Sequence, residues 1–168
     1  MAAVSVITAG KHGSTAEIGA ALAARLEAGG HEAESCSAEG LEGIEAGTAV
    51  VLGSAIYMGR WHRPAVRLAA QLGDGEQGAL FWLFSVGPIG DPPEPPTPPL
   101  EELVSPAAAA NAAGYRTFSG RLDRASLGRV ERLAVKAQGA DDGDYRDWGA
   151  VEAWADEIGA ALVEAAGV

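Results

Sequence analysis

The chain has 168 residues, of which 48% are hydrophobic and 21% charged, and carries a net charge of −11. That length suits one domain with a sizeable core, and no window holds the unbroken apolar run that a membrane span needs. The acidic balance argues against nucleic acid as a partner, because phosphate contacts supply most of that affinity and the field of the whole protein opposes them. Cys36 is the sole cysteine, so neither an internal disulfide nor a thiolate cluster can form. His12, His31 and His62 fall in separate loops or edges without metal-ligand spacing, and no structural metal is expected. Met1-Ala2-Ala3 leads into a strand without a basic region or cleavage signal, which predicts a cytoplasmic location.

In chain order, Val4 to Ala9 is a β-branched run that ends in Gly10-Lys11-His12-Gly13 and opens at Ser14-Thr15 into an alanine-rich helical pattern. A strand, a glycine-bearing turn and a helix N-terminus in succession make an anion site. The glycines allow close backbone approach and positive φ, the hydroxyls can donate, and the first helical N–H groups have no partner inside the helix. Ile18, Leu22 and Leu26 form one helix face, stopped by Gly29-Gly30, and the polar alternation from Glu32 to Cys36 suits an edge strand.

Thr48 to Gly53 and Leu80 to Ser85 are continuous apolar runs of the kind found in central parallel strands. Between them Pro64 opens a helix with Val66, Leu68, Ala69 and Leu72 on its face. Val86 to Pro99 holds most of the nine prolines and reads as a rigid loop. Leu100 to Ala113 is expected as a crossover helix with Gly114 as its C-cap, followed by a fifth strand at Tyr115 to Ser119. Arg121 to Gln138 reads as another helix, with Leu127, Val130, Ala134 and Ala137 on its apolar side. The last helix starts at an Asp147 N-cap and buries Val151, Trp154, Ala155, Ile158 and Leu162.

Five strands alternating with helices predict one α/β domain, a doubly wound five-stranded parallel sheet of order 2-1-3-4-5 between two helical layers. The loops leaving strands 1, 3 and 4 then meet at the switch point. The first of these lacks the Gly-Lys-Ser/Thr ending of a nucleotide P-loop and the third glycine of a dinucleotide fingerprint. The second, Gly53 to His62, offers backbone amides, small residues and the aromatics Tyr57 and Trp61, which suits a flat heteroaromatic ring. Tyr57, Met58 and Trp61 would otherwise be buried core.

The ending Gly13-Ser14-Thr15 is similar to flavodoxin loops that hold the monophosphate of FMN, with Gly10 where those loops carry a hydroxyl residue and Thr8 as its candidate replacement. Together with Gly53 to His62, the strand end Phe84-Ser85-Val86-Gly87, the Ser119-Gly120-Arg121-Leu122 element and Asp147-Trp148, it resembles the flavodoxin-like, menaquinone-dependent protoporphyrinogen IX dehydrogenases over nearly the whole chain. The segment between Ser119-Gly120 and Asp147-Trp148 is shorter and less aromatic than in the best-known members.

The resemblance implies FMN held without a covalent bond. Gly10, Lys11, His12, Gly13, Ser14 and Thr15 are expected on its phosphate. Ser54, Ala55, Ile56, Tyr57, Met58 and Gly59 are expected along its ring, and Ser85, Val86 and Gly87 at the other ring edge. It also implies oxidation of protoporphyrinogen IX with a quinone as acceptor, in haem synthesis. A flavodoxin-type electron carrier that docks on a redox partner protein is the alternative. No acid, base or nucleophile pair stands out, so no catalytic side chain is nominated, and His62 is the titratable group nearest the expected ring.

Charge is unevenly spread. Arg116, Arg121, Arg124, Arg129, Arg132 and Lys136 lie in a window whose acids are Asp123 and Glu131, a local balance of +4. Such a stretch could receive porphyrin propionates or touch an anionic membrane surface, or simply complement acids elsewhere on the domain.

Overall fold

The computed structural model describes residues 1–75, 78–87, 98–123, 125, 127–138 and 143–167. In chain order the elements are β1 (Ala3–Ala9), α1 (Ser14–Ala28), β2 (Glu32–Ser37), β3 (Ala49–Tyr57), β4 (Arg60–Trp61), α2 (Arg63–Gly73) and β5 (Phe81–Val86). There follow α3 (Leu100–Leu103), α4 (Pro106–Asn111), β6 (Gly114–Phe118), β7 (Arg121–Leu122), α5 (Arg129–Gln138), β8 (Gly143–Asp144) and α6 (Trp148–Ala165). The long strands run in the order β2-β1-β3-β5-β6, all pairs parallel. Counting long strands alone, this is the expected 2-1-3-4-5 sheet.

The sheet divides two apolar clusters because side chains alternate across a strand. Val4, Val6, Val51, Trp82 and Phe84 face α1 and α6, while Ile7, Val50, Leu52 and Leu83 face α2 and α4. On the first side Phe84, Phe118 and Trp154 meet edge to face, with centroids 5.6 to 6.0 Å apart, the geometry that ring quadrupoles favour. Gly53 lies inside β3 rather than at its end. A Cβ there would fall 2.1 Å from Phe84 Cζ, so the absent side chain makes room for the ring.

Several boundaries differ from the sequence reading. The single crossover helix is two short ones, because Pro106 cannot donate a helical hydrogen bond and holds Ser105 extended. The Ser105 hydroxyl then caps α4, accepting from the Ala108 N–H at 3.2 Å. Gly114 is the first residue of β6 instead of a C-cap; a Cβ there would lie 3.0 Å from Trp82 Cδ1.

The helix expected from Arg121 begins only at Arg129. Arg121 and Leu122 pair instead with Asp144 and Gly143 in a two-stranded antiparallel ribbon. Of the apolar side expected on that helix, Leu127 is half-buried and Val130 is 76% exposed; Leu133, outside that expected face, is 68% exposed. The last helix matches its reading. The Asp147 side chain accepts from the Ala150 N–H, and Val151, Trp154, Ala155, Ile158 and Leu162 are all buried. Of the proline-rich loop, residues 88–97 lie outside the described residues, as does Arg124.

Candidate functional site

Strand register brings the three expected loops together. Ala9 pairs with Ser54 and Ser54 with Ser85, so β1, β3 and β5 end side by side. The turn from Gly10 to Gly13 leaves β1 at that edge, and Gly13, with φ at 80°, is the N-cap of α1 without a side-chain capping bond. The first-turn amides therefore lack any intrahelical acceptor and face outward at the positive end of the helix dipole.

Gly10 is not in the positive-φ region, contrary to its sequence reading; what it supplies is space. A Cβ at Gly10 would stand 2.9 Å from Thr15 Oγ1 and 3.6 Å from the Ala55 Cβ. Thr15 is 3% exposed, and its hydroxyl has no hydrogen-bond partner among the described residues. The hydroxyl is not among the sealed side-chain atoms and so keeps some exposure beside Gly10, at the base of the turn. Thr8 is buried, with its methyl packed toward Gly19 of α1.

Ser14 is occupied differently. Its Oγ accepts from the Arg121 N–H at 3.1 Å, which fastens the Ser119-Gly120-Arg121 element beside the turn. Lys11 Nζ lies 4.8 Å from the centre of the Tyr57 ring and 3.4 Å from Glu131 Oε1, and His12 Nε2 lies 3.3 Å from Glu131 Oε2. Glu131 also accepts from the Gly128 N–H at 3.0 Å; that bond, with Lys11 and His12, holds its carboxyl below the usual range. Glu131 thus joins α5 to the turn. Sequence reading did not single it out for the site, because the contact spans more than a hundred residues and leaves no local signal.

The segment after Gly53 is mostly strand. β3 continues to Tyr57 and returns antiparallel through β4, with Met58 and Gly59 as the two-residue turn. Both have positive φ, at 52° and 72°, the arrangement of a type I′ hairpin turn. For methionine that conformation is strained, at about 1 to 3 kcal/mol, and such strain gathers at functional sites. Tyr57 is 38% and Met58 74% exposed, so the tip presents an aromatic and a thioether at the switch point. Trp61 takes the other reading and is core, 5% exposed.

Ser54, Ser85 and Val86 are buried within their strands. The Ser54 hydroxyl donates to the Ala55 carbonyl and accepts from the His62 N–H, fixing the start of α2. His62 is the N-cap of that helix; burial, with the nearby charge of Lys11, lowers its pKa. Ser85 Oγ accepts from Trp61 Nε1 at 2.8 Å and bonds Tyr115 Oη at 2.8 Å. The hydroxyls of both serines are thus committed to holding the hairpin. Gly87, with φ at 113°, lies just past β5 and donates its N–H to the Phe118 carbonyl. Ala55 and Ile56 are half-buried on the rising arm of the hairpin.

The profile of the flavodoxin domain matches residues 5–147, most of this length. The chain belongs to the flavodoxin domain family. Among solved structures, a cysteine-to-serine mutant of flavodoxin from Pseudomonas aeruginosa is similar, with a TM-score of 0.56 at 14% identity over 95% of this chain and 97% of that one. Rubredoxin oxygen:oxidoreductase from the anaerobe Desulfovibrio gigas gives 0.54 at 12% identity, over 96% of this chain and 36% of its own length. The Flv1 flavodiiron core from Synechocystis sp. PCC6803 gives 0.50 at 16% identity, over 70% and 30%. At these identities the likeness is one of fold. No curated protein sequence matches.

Flavodoxin domains are FMN-binding redox domains, and FMN is the cofactor of this one. The turn fits its phosphate, since the Thr15 hydroxyl lacks an acceptor and the Gly10 cradle is one that a Cβ would fill.

Proposed function

We propose that the protein is an FMN-dependent oxidoreductase of the protoporphyrinogen IX dehydrogenase type, oxidising protoporphyrinogen IX and passing electrons to a quinone. In this reading Gly10 to Thr15 hold the phosphate through backbone amides and the Thr15 hydroxyl. Ala55 to Gly59 run along the ring, and Gly87 borders its far edge. Bound FMN supplies the redox chemistry. The chain's own residues bind it, orient it and keep water from one side.

The observation that supports an enzyme over a simple carrier is α5. It carries Arg129, Arg132 and Lys136, exposes Val130 and Leu133, and is tied to the phosphate turn through Glu131. A basic helix with two uncovered apolar residues, Val130 and Leu133, beside a flavin suits a porphyrin's propionates and rings, or an anionic membrane surface that holds quinone. Among the described residues no helix is long and apolar enough to cross a membrane. We place the protein in the cytoplasm with peripheral membrane contact.

The net charge of −11 favours the second reading, a carrier that docks acidic surface on a basic redox protein. Assaying FMN-loaded protein for protoporphyrinogen IX oxidation with menaquinone separates the two. Saturable turnover in both substrates is expected. Absence of turnover, with electrons instead delivered to a protein acceptor, would establish the carrier.

A further inference from the structure

At the end of the sheet opposite the Gly10–Gly13 turn, the edge strand β6 and helix α6 leave a half-open cavity of about 270 Å³ between them. Trp82 and Trp154 line it, and these residues are only 4% and 3% exposed. Gly114 has no side chain, so the Trp82 indole reaches across it toward the sheet edge; a Cβ there would stand 3.5 Å from Trp82 Nε1.

Neither indole N–H has an acceptor among the described residues. Among the described residues the side-chain atoms that are both sealed and unpartnered are His31 Nδ1 and Gln71 Oε1, so the indole nitrogens are not sealed, and that of Trp82 lies beside Gly114 in the cavity wall. Buried tryptophan N–H groups ordinarily find a partner. Trp61 shows this in the same molecule, donating to Ser85.

The walls define what could fill the gap. Ile158 and Ala161 of α6 are apolar, and the charges at the rim cancel, because Arg116 Nη2 holds both oxygens of Glu157 at 3.1 and 2.9 Å. No unpaired charge among these residues would compensate a charged guest. Indoles donate and cannot accept, so the guest must supply the acceptor. The volume suits a two-ring compound of on the order of ten heavy atoms.

We infer that this cavity is a second small-molecule site, taking an uncharged planar aromatic carbonyl compound whose oxygen accepts from the Trp82 indole, with Trp154 lining the same space. It stands apart from the flavin reading, because none of its residues belongs to the turn or the hairpin.

The test uses FMN-saturated protein titrated with coumarin, and with naphthalene as a two-ring control without an acceptor. In proton–nitrogen NMR spectra coumarin is expected to shift the indole resonances of Trp82 and Trp154 and leave those of Trp61 and Trp148 in place. Naphthalene should bind about three- to tenfold more weakly, the worth of one neutral hydrogen bond. Trp82→Phe should weaken coumarin by a similar factor, and Ala161→Phe, which fills the cavity, should abolish binding. If Ala161→Phe fails to fold, the wild-type indole shifts still decide the location. Coumarin that moves neither indole, or that binds no better than naphthalene, would overturn the inference.

Discussion

Thr15→Val tests the phosphate assignment, and Gly10→Ala tests how the cradle is built. Valine keeps the shape of threonine and removes only the hydroxyl, which has no hydrogen-bond partner among the described residues. Without FMN the variant should therefore melt at or slightly above the wild-type temperature. With FMN it loses one charge-assisted hydrogen bond worth about 1.5 to 3 kcal/mol, a rise in Kd of about ten- to 150-fold. Gly10→Ala reaches the same bond from the other side. Its Cβ would stand 2.9 Å from Thr15 Oγ1, and Gly10 has no positive φ that alanine would violate, so relief comes from turning the Thr15 side chain. Leaving the rotamer well costs about 0.5 to 1.5 kcal/mol and takes the hydroxyl off the phosphate as well. Since both substitutions act on one hydrogen bond, the double variant should bind FMN within about 0.5 kcal/mol of Thr15→Val alone. Fluorescence titration of FMN gives the affinities, and melts of the FMN-free proteins give the control. Thr15→Val binding within twofold of wild type, or losses that simply add, would refute the reasoning.

Ser85→Ala leaves the Trp61 indole N–H buried without its acceptor and should cost about 1 to 3 kcal/mol in urea unfolding; wild-type stability would show that this bond does not hold the hairpin. The Asp144 carboxyl is held at about 2, against an ordinary 3.8, chiefly by hydrogen bonds from Arg146, which also pairs with Glu17. A depressed carboxylate stabilises the fold above its unfolded value and loses that contribution as pH falls from about 3.8 to about 2. Asp144 is 44% exposed, so solvent screening limits the effect to about 1 kcal/mol or less. Asp144→Asn should then lower the urea midpoint at pH 6 and approach wild type near pH 2; an equal gap at both would count against the pairing. Arg132 holds the Leu127 and Ala125 carbonyls, so the membrane reading of α5 is better tested by Arg129→Gln with Lys136→Gln. That pair should keep FMN affinity and lose salt-sensitive binding to anionic liposomes, at about 1 kcal/mol per charge. Wild-type protein that ignores such liposomes at low salt would remove the membrane from the proposal.

Local pattern carried most of the fold. The apolar runs around Val50 and Leu83, the four-residue spacing of Ile18, Leu22 and Leu26, and the Asp147 N-cap are signals written within a few residues, because burial period and capping are local physics. The sheet order followed from alternating strands with helices, and the strand-turn-helix at Gly10 to Thr15 marked the edge where β1, β3 and β5 end side by side.

What each side chain does was decided by distant neighbours. Ser54 and Ser85 belong to a segment suited to a flavin, yet their hydroxyls are taken by His62, Trp61 and Tyr115 once three strands lie in register. Trp61 and Tyr57 are equally aromatic and four residues apart, and only the hairpin decides that one is core and the other rim. Glu131 meets Lys11 and His12 across more than a hundred residues, and helical spacing from Arg121 to Gln138 could not reveal that β7 would pair with β8. Periodicity reports which face an element would bury, whereas the partner that covers it is chosen by the packing of the whole sheet. That is why Val151, Trp154 and Ile158 of α6 found a core and Val130 and Leu133 of α5 did not.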